Sequence, residues 1–368
     1  MDIFFTEEKL ACRIDALAPW RMRDAIKAHG LRMMECPPEE VNPSPPPMDS
    51  KWTEAVLGQE WSGRDKYLWL TCDLEFPVQW NGRQLVGLFD FGVTGSCSTY
   101  GFEALLYVDG VPFQGVDTHH QEVYFPEHFA GRTVPVVFRL WSGLEGGGVP
   151  RIMTHVFRQA ETAWLDESVD QLYYAGRMIL ETLPLLSDND PVRTALRNAL
   201  NQALLEVDWR DEGSTSFHAS VQTAWGTLDR LLNSMDKQSV VDLVCVGHTH
   251  IDVAWLWRYK HTREKSARSF STVLRLMEQY PEYTFLQSQP QLYEYIKNDF
   301  PEIYEGIRQK IREGRWEVDG GMWIEADCNI PSGESLTRQI LVGTRFTEKE
   351  FGTRMHYLWL PDVFGYSW

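Results

Sequence analysis

The pattern of apolar and polar positions changes character three times along the chain, and each change predicts a different architecture. Residues 1–50 open with a short helical pattern and close in "PPEEVNPSPPPM". Proline lacks a backbone donor and fixes φ, so this stretch is expected to be an extended connector. Residues 51–160 carry short runs such as "YLWLTCDLEF" and "VPVVFRLW", rich in the β-branched and aromatic residues that suit a pleated surface. Asn81-Gly82 and Asp109-Gly110 are dipeptides that favour tight hairpin turns, and "EALLYVDGVPFQGV" reads as a hairpin. This region predicts an antiparallel β-sandwich. Across 161–237, apolar residues recur at spacings of three and four in "SVDQLYYAGRMILETLPLL" and "FHASVQTAWGTLDRLLNSM", which predicts amphipathic helices. A further helix is announced by Asp190 before Pro191.

From 238 to 368 the pattern alternates. "SVVDLVCVG", "YTFLQSQ", "WEVDGG" and "MHYLWLPDVFG" are strand candidates, with helical runs near 262–280, 290–313 and 332–351 between them. Strand and helix in alternation predict a parallel sheet with crossover helices.

Composition narrows the function. With 368 residues, 43% of them apolar, the chain can bury sizeable cores in two or three domains. A net charge of −17 argues against a nucleic-acid partner, which needs a basic surface. "MDIFFTEEKL" does not read as a secretory signal, and no run of eighteen apolar residues predicts a membrane span, so a cytoplasmic location is expected. The six cysteines lack paired spacing and are expected to be free thiols. Fifteen tryptophans suit sugar stacking as well as packing.

The candidate chemistry lies at strand ends. The first apolar run of the last third leads straight into "GHTHIDVAW", where His248, His250 and Asp252 alternate and can point to one side. Catalytic groups of parallel sheets gather at the strands' carboxyl ends. Imidazole and carboxylate together suit zinc or a similar divalent ion. "MHYLWLPDVFG" brings Asp362 to the same kind of position, and "GGMWIEADCNIPSGE" adds Glu325 and Asp327, for which helix capping is the competing role. The basic run "RYKHTREKSAR" is expected to form a solvated helix face. Adjacent His119 and His120 point to opposite sides of a strand, so a surface role is expected.

"HTHIDVAW", "GRWEVDGGMWIEADCNIPSGESLTRQ" and "WLPDVFGYS" together resemble, in order and at fitting spacing, the signature segments of glycoside hydrolase family 38, the α-mannosidases, in their cytosolic and bacterial branch. The resemblance covers about 240–368. It implies that the sandwich and helices are followed by the first part of a parallel α/β barrel catalytic domain. It also implies that His250, Asp252 and Asp362 bind one divalent ion, zinc or alternatively cobalt, and that Asp362 is the nucleophile. Trp255 would stack on the sugar, and His248 would support the turn. The implied substrate is a mannose-containing oligosaccharide, and the implied full-length enzyme is a candidate homo-oligomer. The family's further histidine ligand and its aspartate general acid have no counterpart here. The chain therefore reads as the amino-terminal piece of a longer enzyme, expected to bind metal weakly and to hydrolyse nothing alone. Two rivals are a metal-dependent carbohydrate deacetylase, acting through metal-bound water, and a non-catalytic sugar-binding sandwich. Trp80, Tyr100 and Trp141 would line the latter's site, although aromatics on such strands more often pack in a core.

Overall fold

Alternation along one strand explains how the domains are joined. In Tyr67–Phe76, the side chains of Leu68, Leu70, Cys72, Leu74 and Phe76 enter a sandwich core with Val134, Val136, Phe138 and Leu140 of the paired strand Arg132–Trp141. Tyr67 and Trp69, on the opposite face, join Leu105, Tyr107 and Trp141 in a second core built against the helix Tyr259–Gln279. Both faces are covered at the start of this strand, where residues 67–70 are all apolar, whereas beyond it Thr71, Asp73 and Glu75 alternate with the sandwich-core residues.

The computed structural model describes residues 6–37, 44–92, 101–145, 148–236 and 241–363. The larger sheet of the sandwich has the spatial order Thr53–Glu54, His29–Cys36, Tyr67–Phe76, Arg132–Trp141, Glu103–Val108, Val111–Asp117. The smaller has the order Met22–Lys27, Gln159–Leu165, Leu85–Asp90, Glu122–Phe125. All their pairings are antiparallel. The two strands between 22 and 36 thus enter the sandwich from within the segment read as helical and proline-rich, one joining each sheet. They do so because residues such as Leu31 and Cys36 have cores to enter. Residues 38–43 of the proline-rich stretch lie outside the described residues.

The two candidate hairpins differ. Asp109 (φ 51°) and Gly110 (φ 78°) both take positive φ and close the Val108–Val111 pair, as expected. At the other site Asn81 has φ −57° and ψ 135° and only Gly82 is positive, at 76°. That is a type II turn, not a hairpin. The strands on either side belong to different sheets, so the link crosses between layers and does not need the twist of a hairpin.

Between 161 and 237 the helices Glu167–Thr182, Pro191–Leu205 and Thr215–Ser234 form as expected, capped by Asp166, Asp190 and Ser214. They are packed with Thr6–Leu17 around Leu10, Ile14, Leu172, Leu200 and Phe217. Gly176 allows the close approach: a Cβ there would lie 2.2 Å from Cδ1 of Ile14.

In the last third, Gly247–His248, Phe285–Gln287 and Trp316–Val318 form a parallel sheet in that order, and a single parallel bridge links Gly320 to Leu358. The helix expected over 290–313 is two helices, Pro290–Asp299 and Pro301–Arg312. Pro301 cannot continue the first ladder but suits the first turn of the second. The other two helices are Tyr259–Gln279 and Gly333–Phe351. Two strand expectations are met only at their ends. Residues 241–246 lie outside any strand, and Val241, Leu243 and Val244 are exposed; the described residues of "MHYLWLPDVFG" contribute the bridge at Leu358. Each lies at an edge of the sheet, and among the described residues no further strand lies beyond it to complete its pairing. The described sheet therefore holds three short strands and a bridge, not a barrel.

Candidate metal centre

Every polar group of the site stands just past the carboxyl end of a parallel strand. After Gly247–His248 come His250 and Asp252; after Phe285–Gln287 come Ser288 and Gln289; after Trp316–Val318 comes Glu325; after the Leu358 bridge comes Asp362. Nε2 of His250 lies 3.4 Å from Oδ1 of Asp252 and 3.7 Å from Oδ2 of Asp362. One ligand atom from each of these three residues fits within a span of 4.8 Å. His248, expected from alternation to point the same way, instead turns to Glu325, with Nε2 at 3.5 Å from Oε1.

The residues fit a divalent ion. Nε2 of His250 is buried and has no hydrogen-bond partner, an orphan position that a metal ion would satisfy. One nitrogen and two carboxylate oxygens are a donor set suited to zinc or a similar metal. The Asp362 side chain is 64% exposed, so the site has an open side. The Nδ1 edge of His250 meets Glu325. That hydrogen bond, followed by the charges of Asp252 and Asp362, raises the His250 pKa against the effect of burial. Burial pushes Glu325 up, but hydrogen bonds with His248, His250 and Ser288 outweigh it and hold the carboxyl at about 2.

The loop is pinned from beneath. The side chain of Gln287 donates to the carbonyl of Thr249 (3.1 Å) and that of Gln289 to the carbonyl of Ile251 (2.9 Å). Both glutamines are essentially fully buried. On the far side, Thr262 Oγ1 donates to the carbonyl of Asp252 at 2.9 Å. Asp319 accepts from the backbone N–H of His356 and of Tyr357 (3.0 Å each) and so holds the segment leading to Asp362. Sequence reading missed these four residues. The polar run "QSQ" at the end of an apolar strand is the one signal that points to two of them.

Other candidates separate cleanly. Trp255 is 53% exposed and meets Trp257 edge-on at 5.5 Å. It borders a cavity of about 360 Å³ shared by Asp252, Leu256, Leu144 and Trp141. Asp327 accepts from the N–H of Asn329 at 2.6 Å, the turn-capping role, whereas Glu325 belongs to the site. Trp80 and Trp141 are buried core residues, which removes them as a sugar platform on the sandwich surface, and Tyr100 lies outside the described residues. His120 pairs with Asp117 at 3.0 Å. The five cysteines among the described residues are free.

The basic run that follows Asp252 is not a solvated face. Arg258 and His261 bond Asp65 of the sandwich, the latter at 2.6 Å. Lys265 and Arg268 pair with Glu103, and Glu264 pairs with Arg139 at 3.0 Å. The sandwich offers acidic partners and an aromatic face on one side of the helix, and the helix turns these charges there, while Arg263 pairs with Asp299 of the following helix.

An antiparallel sandwich packed on a parallel α/β unit, with imidazole and carboxylate groups gathered at the strand ends, defines a scaffold with a candidate metal site. Comparison with known proteins gives the family. Residues 240–368 match the glycosyl hydrolases family 38 N-terminal domain, and residues 27–135 match the jelly roll domain of α-mannosidase. Residues 240–368 thus form a glycosyl hydrolase family 38 N-terminal domain, preceded by a jelly roll domain of the α-mannosidase type. It is 29% identical over 335 residues to α-mannosidase G of Dictyostelium discoideum, an alignment covering 86% of this chain and 29% of the relative. It is 32% identical over 314 residues to α-mannosidase 2C1 of Homo sapiens, covering 81% and 29%. It is 44% identical over 133 residues to an α-mannosidase of Saccharomyces cerevisiae, covering 36% and 12%. The chain thus spans under a third of the length of these curated relatives. No helix among the described residues is long and apolar enough to cross a membrane.

Proposed function

We propose that this chain forms the amino-terminal part of a retaining, metal-dependent α-mannosidase acting on terminal α-mannosides of oligosaccharides. The observation that carries this reading is the convergence of His250, Asp252 and Asp362 at the carboxyl edge of the parallel sheet. A divalent ion bound there, zinc or alternatively cobalt, would supply Lewis-acid chemistry toward neighbouring sugar hydroxyls. Asp362, the most exposed of the three, attacks the anomeric carbon as the glycosidic C–O bond breaks and forms a covalent glycosyl ester, which water later cleaves. Trp255 offers its exposed face to the sugar ring. Protonation of the leaving oxygen falls to a general acid outside the described residues, so this chain alone is expected to be inactive.

In this reading the chain runs through an amino-terminal segment (1–50), whose helix and strands pack into the two units that follow, the sandwich (51–160) and the helical region (161–237). Residues 238–368 begin a barrel whose further strands cover the exposed apolar positions at 241–244 and 357–359. The enzyme is placed in the cytoplasm, as a candidate homo-oligomer without nucleic-acid or membrane partners. The test is hydrolysis of an aryl α-mannoside by the longest polypeptide containing this chain, beside its Asp362→Asn variant, with zinc or cobalt and after chelation. Activity is expected in the metal-loaded parent, with near-complete loss in the variant and after chelation. A folded, metal-loaded parent without activity would overturn the proposal.

A further inference from the structure

Glu325 is a buried carboxylate with more partners than turn capping requires. Its side chain is 3% exposed. One oxygen meets Nδ1 of His250; the other accepts the hydroxyl of Ser288 and faces Nε2 of His248. Its own backbone N–H donates to the side-chain oxygen of Gln289 at 3.3 Å, and Gln289 in turn holds the carbonyl of Ile251. The carboxylate is therefore fixed relative to the metal loop by both its side chain and its backbone.

We propose that Glu325, braced by His248 and Ser288, is the positioning residue that sets the tautomer and ring orientation of His250. The proposal rests on the reading of His250 as a metal ligand. A neutral imidazole carries one proton, and the nitrogen that carries it cannot bind metal. A carboxylate at Nδ1 keeps the proton on that edge and leaves the Nε2 lone pair directed at Asp252 and Asp362, where no hydrogen-bond partner occupies it. Glu325 is not itself a fourth ligand to that ion, because it approaches the opposite edge of the ring. The same arrangement gives the first histidine of "HTHID" a task. His248 does not ligate; its Nε2 meets the Ser288 hydroxyl at 3.4 Å and the carboxylate that orients its neighbour at 3.5 Å.

The test compares the longest polypeptide containing this chain with its Glu325→Ala, Glu325→Gln, Ser288→Ala and His250→Ala variants. Zinc affinity is read by competition with a chromogenic chelator. The His250 tautomer is read in the metal-free state from imidazole ¹⁵N chemical shifts above neutral pH. The parent is expected to show the Nδ1–H form. Glu325→Ala should move the proton toward Nε2 and weaken zinc binding about 10–100-fold, the usual cost of losing an outer partner of a ligating histidine. Ser288→Ala should weaken it less. Glu325→Gln keeps an acceptor without the charge and should keep the tautomer while losing part of the affinity, so it carries the test if the alanine variant fails to fold. An Nε2–H tautomer in the parent, or full zinc affinity in both Glu325 variants, would overturn the proposal. Failure of the parent to bind zinc, or full affinity in His250→Ala, would instead sink the metal-ligand reading, and the tautomer measurement would still decide the role of Glu325.

Discussion

Replacing Glu264 with alanine should weaken the packing of the sandwich against the parallel α/β unit. Glu264 and Arg139 are 6% and 4% exposed, and Nη2 of the arginine lies 3.0 Å from Oε1 of the glutamate. The guanidinium sits over the rings of Tyr67 (4.5 Å) and Trp69 (5.4 Å), and its other terminal nitrogen donates to Sγ of Cys36. Charges about 4 Å apart attract by roughly 4 kcal/mol at an effective dielectric constant near 20. Burial of both ions offsets much of that, so the pair adds little net stability as a pair. Removing one partner is different, because it leaves the arginine buried and uncompensated, at a cost of about 3–5 kcal/mol. The assay is urea unfolding followed by tryptophan fluorescence, in which Trp69 and Trp141 report on this interface. Glu264→Ala should lower stability by that amount, while Arg139→Met combined with Glu264→Leu should return to within about 1 kcal/mol of the parent or exceed it. A single variant as stable as the parent, or a double variant as unstable as the single, would refute the reasoning.

Asp65 ties the same interface through His261, Trp141 and Arg258. Burial pushes its carboxyl up, but the hydrogen bonds with His261 and Trp141 and the charges of His261 and Lys260 prevail and hold it at about 2. A folded pKa below the unfolded one gives stability that is present above pH ~4 and lost as pH falls toward ~2. Asp65→Asn should therefore cost about 1–2 kcal/mol at neutral pH, allowing for screening, and the difference in chemical denaturation should shrink across that window. Gly115 packs directly on the helix: a Cβ there would lie 2.9 Å from the backbone oxygen of Arg268. Gly115→Ala should destabilise by about 1–3 kcal/mol in the same unfolding assay, and a variant as stable as the parent would mean that the strand can move away freely. Trp255→Ala should raise KM for an aryl α-mannoside about tenfold in the full-length enzyme, an energy of stacking size, with zinc affinity unchanged. An equal loss of zinc affinity would mean that the ring supports the loop instead.

What the sequence determined by itself is what local periodicity encodes. Spacings of three and four in "FHASVQTAWGTLDRLLNSM" marked a helix, the Asp109-Gly110 pair marked a hairpin, and alternation in "HTHID" placed His250 and Asp252 on one side. These signals survive because each depends on neighbours along the chain. The tertiary structure decided the rest. It sent His248 to Glu325 instead of toward Asp252 and Asp362, because a buried carboxylate with a serine donor stood within reach. It split one helical run at Pro301 and placed strands 22–27 and 29–36 in the sandwich, where cores were waiting for their apolar faces. It turned "RYKHTREKSAR" from a solvated face into an interface, since Asp65, Glu103 and Arg139 come from far earlier in the chain. It also brought Asp362 to His250 across the whole parallel unit. Which residues can be ligands, caps or cores is written in their chemistry and spacing. Which of them meet depends on contacts between segments distant in sequence, and no local pattern carries that information.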